Sequence, residues 1–165
     1  KGFDLLTTVF DQLAGAFPDW VLVILGEGAH RDLLEKQIRD ASLEDRILMP
    51  GRVGNIGQWY EAADLFVMSS RFEGFPNALV EAMAHGLASV SFDCDSGPGE
   101  IISHEIDGLL VPPGDAKALK GALTRLMQDE TLRLQYAKKA KETRQRFSID
   151  KIAARWEKLF REAIR

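Results

Sequence analysis

Five short apolar segments alternate with segments of helical periodicity along this chain, and this alternation restricts the fold more than any other feature. The apolar segments are residues 20–25, 47–49, 65–68, 88–92 and 109–111. Most of them are uninterrupted apolar runs, which is typical of strands buried on both faces of a parallel sheet. The helical segments between them supply the crossovers that parallel strands need. The pattern therefore predicts an α/β protein with a Rossmann-like doubly wound parallel sheet.

The chain changes character after the Pro-Pro-Gly turn at residues 112–114. Asp115 is placed to cap a helix with apolar residues at helical spacing, and further helical patterns follow it. We interpret residues 1–165 as one domain in which residues 115–165 form a C-terminal helical extension.

The composition argues against several classes of protein. The single cysteine, Cys94, excludes an intramolecular disulfide and argues against a zinc site built from several thiolates. A formal net charge of -4 argues against a broad nucleic-acid-binding face. The longest apolar runs are far shorter than the roughly 20 residues that span a bilayer. We therefore expect a cytoplasmic protein that binds no nucleic acid.

The loop after the first apolar segment reads Gly26-Glu27-Gly28, at the edge of the sheet where ligands bind in open α/β folds. Its glycines allow close approach of the backbone to a ligand, and the helix that follows favours an anion. A phosphate contact and a tight strand-to-helix turn are both open interpretations. A dinucleotide fingerprint is disfavoured, because Arg31 occupies the position of its third glycine.

The loop after the third apolar segment leads into a helix that carries a second candidate site. Gly74 permits a sharp turn and Pro76 suits the first turn of a helix, which Gly86 would end. Glu73 therefore lies in the loop, and Glu81 lies inside a helix that is otherwise almost entirely apolar.

A carboxylate on a buried helix needs a specific partner, because an unpaired buried charge costs several kcal/mol. One interpretation is that Glu81 forms a salt bridge with Arg52 or Arg71. The other is that Glu81 accepts hydrogen bonds from vicinal hydroxyls, such as those of a ribose. Spacing alone does not decide between these two interpretations.

The run EGFPNALVEAMAHG, with seven residues between Glu73 and Glu81, resembles the E-x7-E motif of retaining glycosyltransferases of the GT-B fold, specifically glycosyltransferase family 4. Five other segments are also similar to this family. They read KGFDLL at 1–6, LGEG at 25–28, MPGRV at 49–53, YEAAD at 60–64 and GLLVP at 108–112. The resemblance extends from residue 1 to about residue 127.

The resemblance implies a nucleotide-sugar-binding domain that forms the C-terminal half of a two-domain enzyme. It assigns Glu73 to the donor sugar near the reacting centre and Lys1 to the diphosphate leaving group, where negative charge develops. It assigns Glu81 to the ribose hydroxyls. The other donor-binding positions that it implies are Gly74, Phe75, Pro76, Asn77, Gly26, Gly28, Arg52 and Val53. The family needs no metal or other cofactor, and Asp93 and Asp95 are interpreted as turn or capping residues.

The resemblance also implies that an N-terminal acceptor-binding domain is absent from this chain, which begins at Lys1. The first strand of the C-terminal domain and an arginine that would partner Lys1 are expected to be absent with it. The isolated chain should then bind donor weakly and transfer nothing. Trp156 and Phe160 are predicted either to lie on a face that the absent domain would cover or to fold back onto the first helix.

The implied reaction moves a hexose or hexosamine from a nucleoside diphosphate, with UDP as the expected carrier, to a saccharide or lipid-linked acceptor. Residues 93–100 resemble a variant found in bacterial surface-polysaccharide enzymes, which favours polysaccharide or lipopolysaccharide synthesis. The full-length enzyme is expected at the cytoplasmic face of the inner membrane as a peripheral protein. A GT-B-fold epimerase, a phosphorylase and an inactive nucleotide-sugar-binding scaffold are the alternatives.

Overall fold

Strands and helices alternate through the first two thirds of the chain, as the pattern of apolar segments predicts. The computed structural model describes residues 1–164. Its strands are β1 (Leu22–Leu25), β2 (Ile47–Gly51), β3 (Leu65–Met68), β4 (Ala88–Phe92) and β5 (Gly108–Val111). Its helices are α1 (Phe3–Ala14), α2 (Arg31–Asp40), α3 (Ile56–Ala62), α4 (Asn77–His85), α5 (Pro98–Ile101), α6 (Ala116–Gln128), α7 (Glu130–Ala140), α8 (Thr143–Arg146) and α9 (Ile149–Ala163).

The strands form two hydrogen-bonded parallel sheets, although the sequence predicts a single one. Strand β1 pairs with β2, and β4 lies between β3 and β5. Every residue of β4 is buried, as expected of a central strand. Among the described residues, β1 and β3 each have one edge without a ladder partner. The predicted doubly wound α/β fold is therefore confirmed, but no strand ladder joins β1 to β3 among the described residues.

Helix α1 packs against both sheets on one face. Leu6, Val9 and Leu13 belong to the core formed by β4, β5 and α6. One helical step away, Phe10 packs with the residues of β1 and β2, including Ile24. The spacing of these apolar residues gives α1 a wide buried stripe. This arrangement fixes the start of α1 relative to the end of β3.

The opposite face of the larger sheet is covered by α4, α5 and the end of α7. Side chains of β3 alternate between the two faces, with Val67 toward the α1 side and Met68 toward Leu79 and Met83 of α4. Leu79 and Met83 are fully buried. Gly86 ends α4 in a left-handed conformation with φ of 87°, as predicted for its C-terminal cap. The core thus holds α4 firmly at the end of β3.

Several local predictions are confirmed and others need correction at their boundaries. The Asp115 side chain caps α6 by accepting a hydrogen bond from Ala118 N at 2.9 Å. Cys94 is buried. The first strand begins at Leu22 rather than at Trp20, because the chain before it is held in a turn by Arg46, which donates to the Trp20 carbonyl.

The last helix lies apart from the core. No residue of α9 is buried within the described part of the chain. Trp156 and Phe160 are 54% and 58% exposed, and their rings stack with centroids 5.6 Å apart. The predicted fold-back onto the first helix is therefore wrong, and coverage by a further domain stays a prediction. Within residues 1–164, no helix combines the length and the apolar character needed to cross a bilayer.

Candidate functional site

Lys1 and Glu73, to which the family resemblance gives catalytic roles, are in direct contact at the carboxyl end of β3. Lys1 Nζ donates to Glu73 Oε1 at 2.5 Å. Glu73 is 9% exposed, whereas the Lys1 side chain is largely exposed. The pair therefore presents a cation to solvent above a carboxylate that is mostly enclosed by protein.

The backbone around Lys1 is held against the end of β3. Ser69 Oγ donates to the Lys1 carbonyl at 3.1 Å. Gly2 adopts a φ of 73°, and a Cβ at this position would lie 2.1 Å from the Ser69 carbonyl oxygen. Only glycine fits this approach, so the Lys-Gly pair at the start of α1 places the Lys1 side chain next to Glu73.

The charge of Glu73 is set by two opposing effects. Burial raises the pKa of its carboxyl group, since a low-dielectric environment disfavours the ionised form. Hydrogen bonds from Lys1 and Ser70, together with the positive charge of Lys1, outweigh burial and lower the pKa below its ordinary value. Glu73 is therefore an anion at neutral pH, able to stabilise positive charge but not to donate a proton.

A second ion pair ties the Glu73 loop to α1. Arg71 donates through both terminal nitrogens to Asp4, at 3.1 and 2.7 Å. The hydrogen bond from Arg71 lowers the pKa of Asp4, and that from Asp4 raises the pKa of Arg71. Of the two interpretations of Glu81, the salt bridge with Arg52 or Arg71 is not found among the described residues, and the Arg71 guanidinium is directed to Asp4.

Glu81 lies on the outer face of α4 and not in a buried environment, which corrects the sequence prediction. Its carboxylate Oε2 accepts a hydrogen bond from Tyr60 Oη at 3.3 Å. Tyr60 is buried in α3, and burial together with the negative charge of Glu81 raises the pKa of its phenol to about 12. The partner of Glu81 is thus a neutral tyrosine that leaves the carboxylate negatively charged and accessible from solvent.

The segment between the two glutamates forms the floor of this surface. Gly74, Phe75 and Asn77 are exposed, whereas Pro76 is buried and precedes the first residue of α4. The loop after β4 packs against Pro76, so closely that a Cβ at Gly97 would meet the Pro76 ring. The first turn of α4 therefore follows the Glu73 loop directly, and the N–H groups of Asn77, Leu79 and Val80 already donate to the Phe75 and Pro76 carbonyls.

The remaining predicted binding residues lie at the carboxyl ends of β1 and β2. Gly26 N donates to the Gly51 carbonyl at 2.8 Å, which joins the two loops. Gly26 has a φ of 109°, and a Cβ at Gly26 or at Gly28 would meet no atom within 4 Å. Arg52 is exposed and Val53 half-buried. These four residues therefore border open space at the end of the smaller sheet.

Arg31 explains the tight turn after β1. Its guanidinium donates to Glu27 at 2.9 Å, to Glu35 at 2.8 Å and to the Met49 carbonyl at 2.6 Å. The residue that replaces the third glycine of a dinucleotide fingerprint thus links the β1 loop to the end of β2. These contacts fit the turn interpretation of Gly26-Glu27-Gly28, and a phosphate contact there stays a prediction.

Three residues of the site were missed by sequence reasoning. Tyr60 donates a hydrogen bond to Glu81, Asp4 binds Arg71, and Ser70 binds Glu73. Tyr60 and Asp4 fall within the family-like segments YEAAD and KGFDLL, so the signal was present in the sequence. Their partners are distant along the chain, and pairing them required the fold.

Residues 1–143 match the sequence profile of the family described as glycosyl transferases group 1. The chain belongs to this family. An exopolysaccharide phosphotransferase of Streptomyces coelicolor is 40% identical over 165 residues, which are 99% of this chain and 18% of that protein. A 4-alpha-N-acetylgalactosaminyltransferase of Campylobacter jejuni that acts on a diphospho-undecaprenol substrate is 36% identical over 82% of this chain and 37% of its own length. The chain thus spans less than half the length of these relatives.

Several solved structures share this fold closely. S. aureus TarM in a complex that includes UDP superposes with a TM-score of 0.90 and 26% identity, over 96% of this chain and 32% of TarM. Anabaena HepE in complex with UDP superposes with a TM-score of 0.88 and 25% identity, over 98% of this chain and 45% of HepE. The C-terminal domain of a group 1 glycosyl transferase of Francisella tularensis superposes with a TM-score of 0.80 and 28% identity, over 89% of this chain and 79% of that domain. The chain therefore has the Rossmann-like fold of a GT-B C-terminal domain.

Proposed function

We propose that this chain is the donor-binding half of a retaining glycosyltransferase of family 4. The enzyme would move a hexose or hexosamine from a nucleoside diphosphate sugar, with UDP as carrier, to a saccharide or lipid-linked acceptor. The observation that carries the proposal is the contact between Lys1 and Glu73, beside a helix whose outer face presents Glu81. A cation and two carboxylates, each with a defined partner, are thus gathered at the edge of the sheet where ligands bind.

Each charged side chain suits one part of a nucleotide sugar. Glu81 is an exposed anion whose carboxylate accepts hydrogen bonds, which matches the two hydroxyls of a ribose. Lys1 is an exposed cation that can neutralise the diphosphate as it leaves. Glu73 remains ionised next to Lys1, so it stabilises positive charge that develops on the sugar ring. Because Lys1 supplies the positive charge, the proposed reaction needs no metal ion.

The names of the relatives support a role in bacterial polysaccharide or lipopolysaccharide synthesis. One relative, from Rhizobium meliloti, is a lipopolysaccharide core mannosyltransferase, 34% identical over 98% of this chain and 49% of its own length. The nucleotide UDP is present in the TarM and HepE complexes. A cytoplasmic location with peripheral attachment to the inner membrane fits such a pathway, because nucleotide sugars are made in the cytoplasm.

The acceptor site is proposed to belong to another domain. The charged residues described above account for binding of the donor, and acceptor recognition is not among their roles. We therefore expect the 165-residue chain to bind UDP weakly and to transfer no sugar by itself. In the whole enzyme, an acceptor domain would close over Lys1 and Glu73.

An inactive nucleotide-sugar-binding scaffold is the second candidate, and one observation favours it. The Streptomyces coelicolor relative is named for phosphotransfer and is more than five times as long as the matching segment, which is 18% of it. A domain of this fold can therefore lie within a protein named for a different reaction. The presence of both Glu73 and Glu81 supports the catalytic proposal over the scaffold.

Calorimetry with UDP tests the proposal directly. Binding is expected in the millimolar range or tighter, unchanged by a metal chelator, and weakened about tenfold or more by Glu81→Ala, because a hydrogen bond to a charged group is lost. Glu44→Ala is the matched control, since Glu44 is an exposed glutamate that precedes the amino end of β2. No binding at several millimolar UDP, or equal binding by Glu81→Ala and the unaltered chain, would overturn the proposal.

A further inference from the structure

The hydroxyl of Tyr60 contacts Glu81, the carboxylate proposed to bind a ribose. Tyr60 Oη lies 3.3 Å from Glu81 Oε2 and 3.4 Å from the Ala78 carbonyl oxygen. A phenol carries one proton and so donates to one of these acceptors at a time. The carboxylate is the stronger acceptor because it is ionised.

Packing fixes the Tyr60 ring, so its hydroxyl has a defined position. The ring contacts Phe66 edge-on with centroids 6.3 Å apart and lies 5.4 Å from the His85 ring. Tyr60 is 8% exposed and shares a small core cluster with Ala82 and Leu87. Its phenol oxygen contacts Ala78 and Glu81 of α4, both of which are exposed.

This arrangement constrains a side chain that would otherwise be free. Glu81 is exposed and, within the described residues, has Tyr60 as its one side-chain hydrogen-bond partner. Without that partner, the carboxylate would sample several rotamers, and a ligand would have to order it on binding. Ordering a flexible side chain weakens binding by about two- to tenfold.

We propose that Tyr60 is a positioning residue that holds Glu81 through Oε2 and leaves Oε1 directed at the vicinal hydroxyls of a ribose. This inference rests on the proposed function and adds a residue to it. It makes Tyr60 a determinant of selectivity for ribonucleotides, since a fixed carboxylate oxygen distinguishes a diol from a single hydroxyl. A mobile carboxylate would accommodate both.

The comparison of UDP with 2′-deoxy-UDP measures this selectivity. The unaltered chain is expected to bind UDP about tenfold more tightly than 2′-deoxy-UDP, because one hydrogen bond to a carboxylate is lost. Tyr60→Phe keeps the ring and removes the hydroxyl, and it is expected to weaken UDP binding about two- to tenfold and to reduce the preference for UDP. Tyr136→Phe is the matched control, because Tyr136 is 4% exposed and packs in the core formed by β4, β5 and α6, away from Glu81.

A double-mutant cycle separates positioning from a general loss of stability. If Tyr60 acts through Glu81, the Tyr60→Phe change has no further effect on UDP binding in the Glu81→Ala background. A merely structural role would lower the melting temperature and leave the UDP preference unchanged. An unchanged preference in Tyr60→Phe, or equal effects in both backgrounds, overturns the inference while leaving the proposed function intact. Absence of UDP binding by the unaltered chain overturns the proposed function itself.

Discussion

Lys1 Nζ and Glu73 Oε1 lie 2.5 Å apart, although the two residues are separated by 72 positions in the chain. Helix α1 is what brings them together, because its buried stripe packs against both sheets and its first turn lies at the end of β3. The pair is also connected to the Arg71–Asp4 bridge through the same helix start and the same loop. The site is thus built on one junction between α1 and the loop after β3.

Glu73→Gln tests the electrostatic part of this junction. Glu73 has a pKa below its ordinary value in the folded chain, so its ionised form stabilises folding at neutral pH. That contribution is lost as the pH falls from the ordinary value of 4.5 through the lower folded value. The variant is expected to lose about 1 kcal/mol of unfolding free energy at pH 7, because Lys1 is largely exposed.

Urea denaturation at pH 7 and at pH 3 checks this expectation. The difference in unfolding free energy between the unaltered chain and Glu73→Gln should shrink at the lower pH, because protonation of Glu73 removes the charge that the variant lacks. Glu44→Gln is the control, because it alters an exposed glutamate away from the junction. A difference of the same size at both pH values would contradict the role of ionised Glu73.

Lys1→Met tests whether the exposed end of the pair recognises a diphosphate. The substitution keeps an unbranched side chain and removes its charge, so affinity for UDP should fall about tenfold while affinity for uridine stays unchanged. Lys36→Met on α2 is the control, since Lys36 is an exposed lysine paired with Asp40. Calorimetry with the two ligands measures the ratio, and equal losses for UDP and uridine would show that Lys1 acts without contacting phosphate.

The sequence was sufficient for the elements of the fold, but not for the contact between Lys1 and Glu73 or for the environment of Glu81. Helix α4 is apolar in composition, which led to the prediction of a buried carboxylate. In the structure, the buried stripe of α4 consists of Leu79, Ala82 and Met83. Glu81 lies on the exposed face together with Ala78, which is three residues earlier in the helix. Helical periodicity, rather than the total number of apolar residues, decides this orientation.

Partners and sheet pairing depend on contacts between distant segments, which apolar patterns do not specify. Burial on both faces predicts that β1 and β3 lie in a parallel sheet, but the pattern does not specify which strands pair through hydrogen bonds. The same is true of Tyr60, whose hydroxyl reaches Glu81 only because α3 and α4 are neighbours. The family-like segments indicated that these residues matter, whereas their roles came from the geometry.

Arg71→Ala is expected to loosen the loop that carries Glu73. The Arg71–Asp4 bridge is exposed, so it should contribute little to global stability and more to local order. Hydrogen exchange of residues 69–75 should become faster in Arg71→Ala and Asp4→Ala, and faster in the unaltered chain at high salt. The reversed pair, Asp4→Arg with Arg71→Asp, should restore part of the protection. Unchanged exchange in both single variants would mean that the bridge does not hold the loop.

Gly2→Ala and Gly114→Ala form a matched pair that isolates the close approach between α1 and β3. The two glycines have φ values of 73° and 74°, so alanine carries the same backbone strain at both positions. A Cβ at Gly2 would lie 2.1 Å from the Ser69 carbonyl oxygen, whereas a Cβ at Gly114 meets no atom within 4 Å.

Gly114→Ala should therefore cost about 1 kcal/mol of unfolding free energy from left-handed strain alone. Gly2→Ala should cost about 1–3 kcal/mol more, since backbone must shift to relieve the overlap. That shift would also displace Lys1, so UDP affinity should fall in Gly2→Ala and remain unchanged in Gly114→Ala. Denaturation and calorimetry on the two variants measure both effects, and equal stability losses would show that α1 does not approach Ser69 this closely.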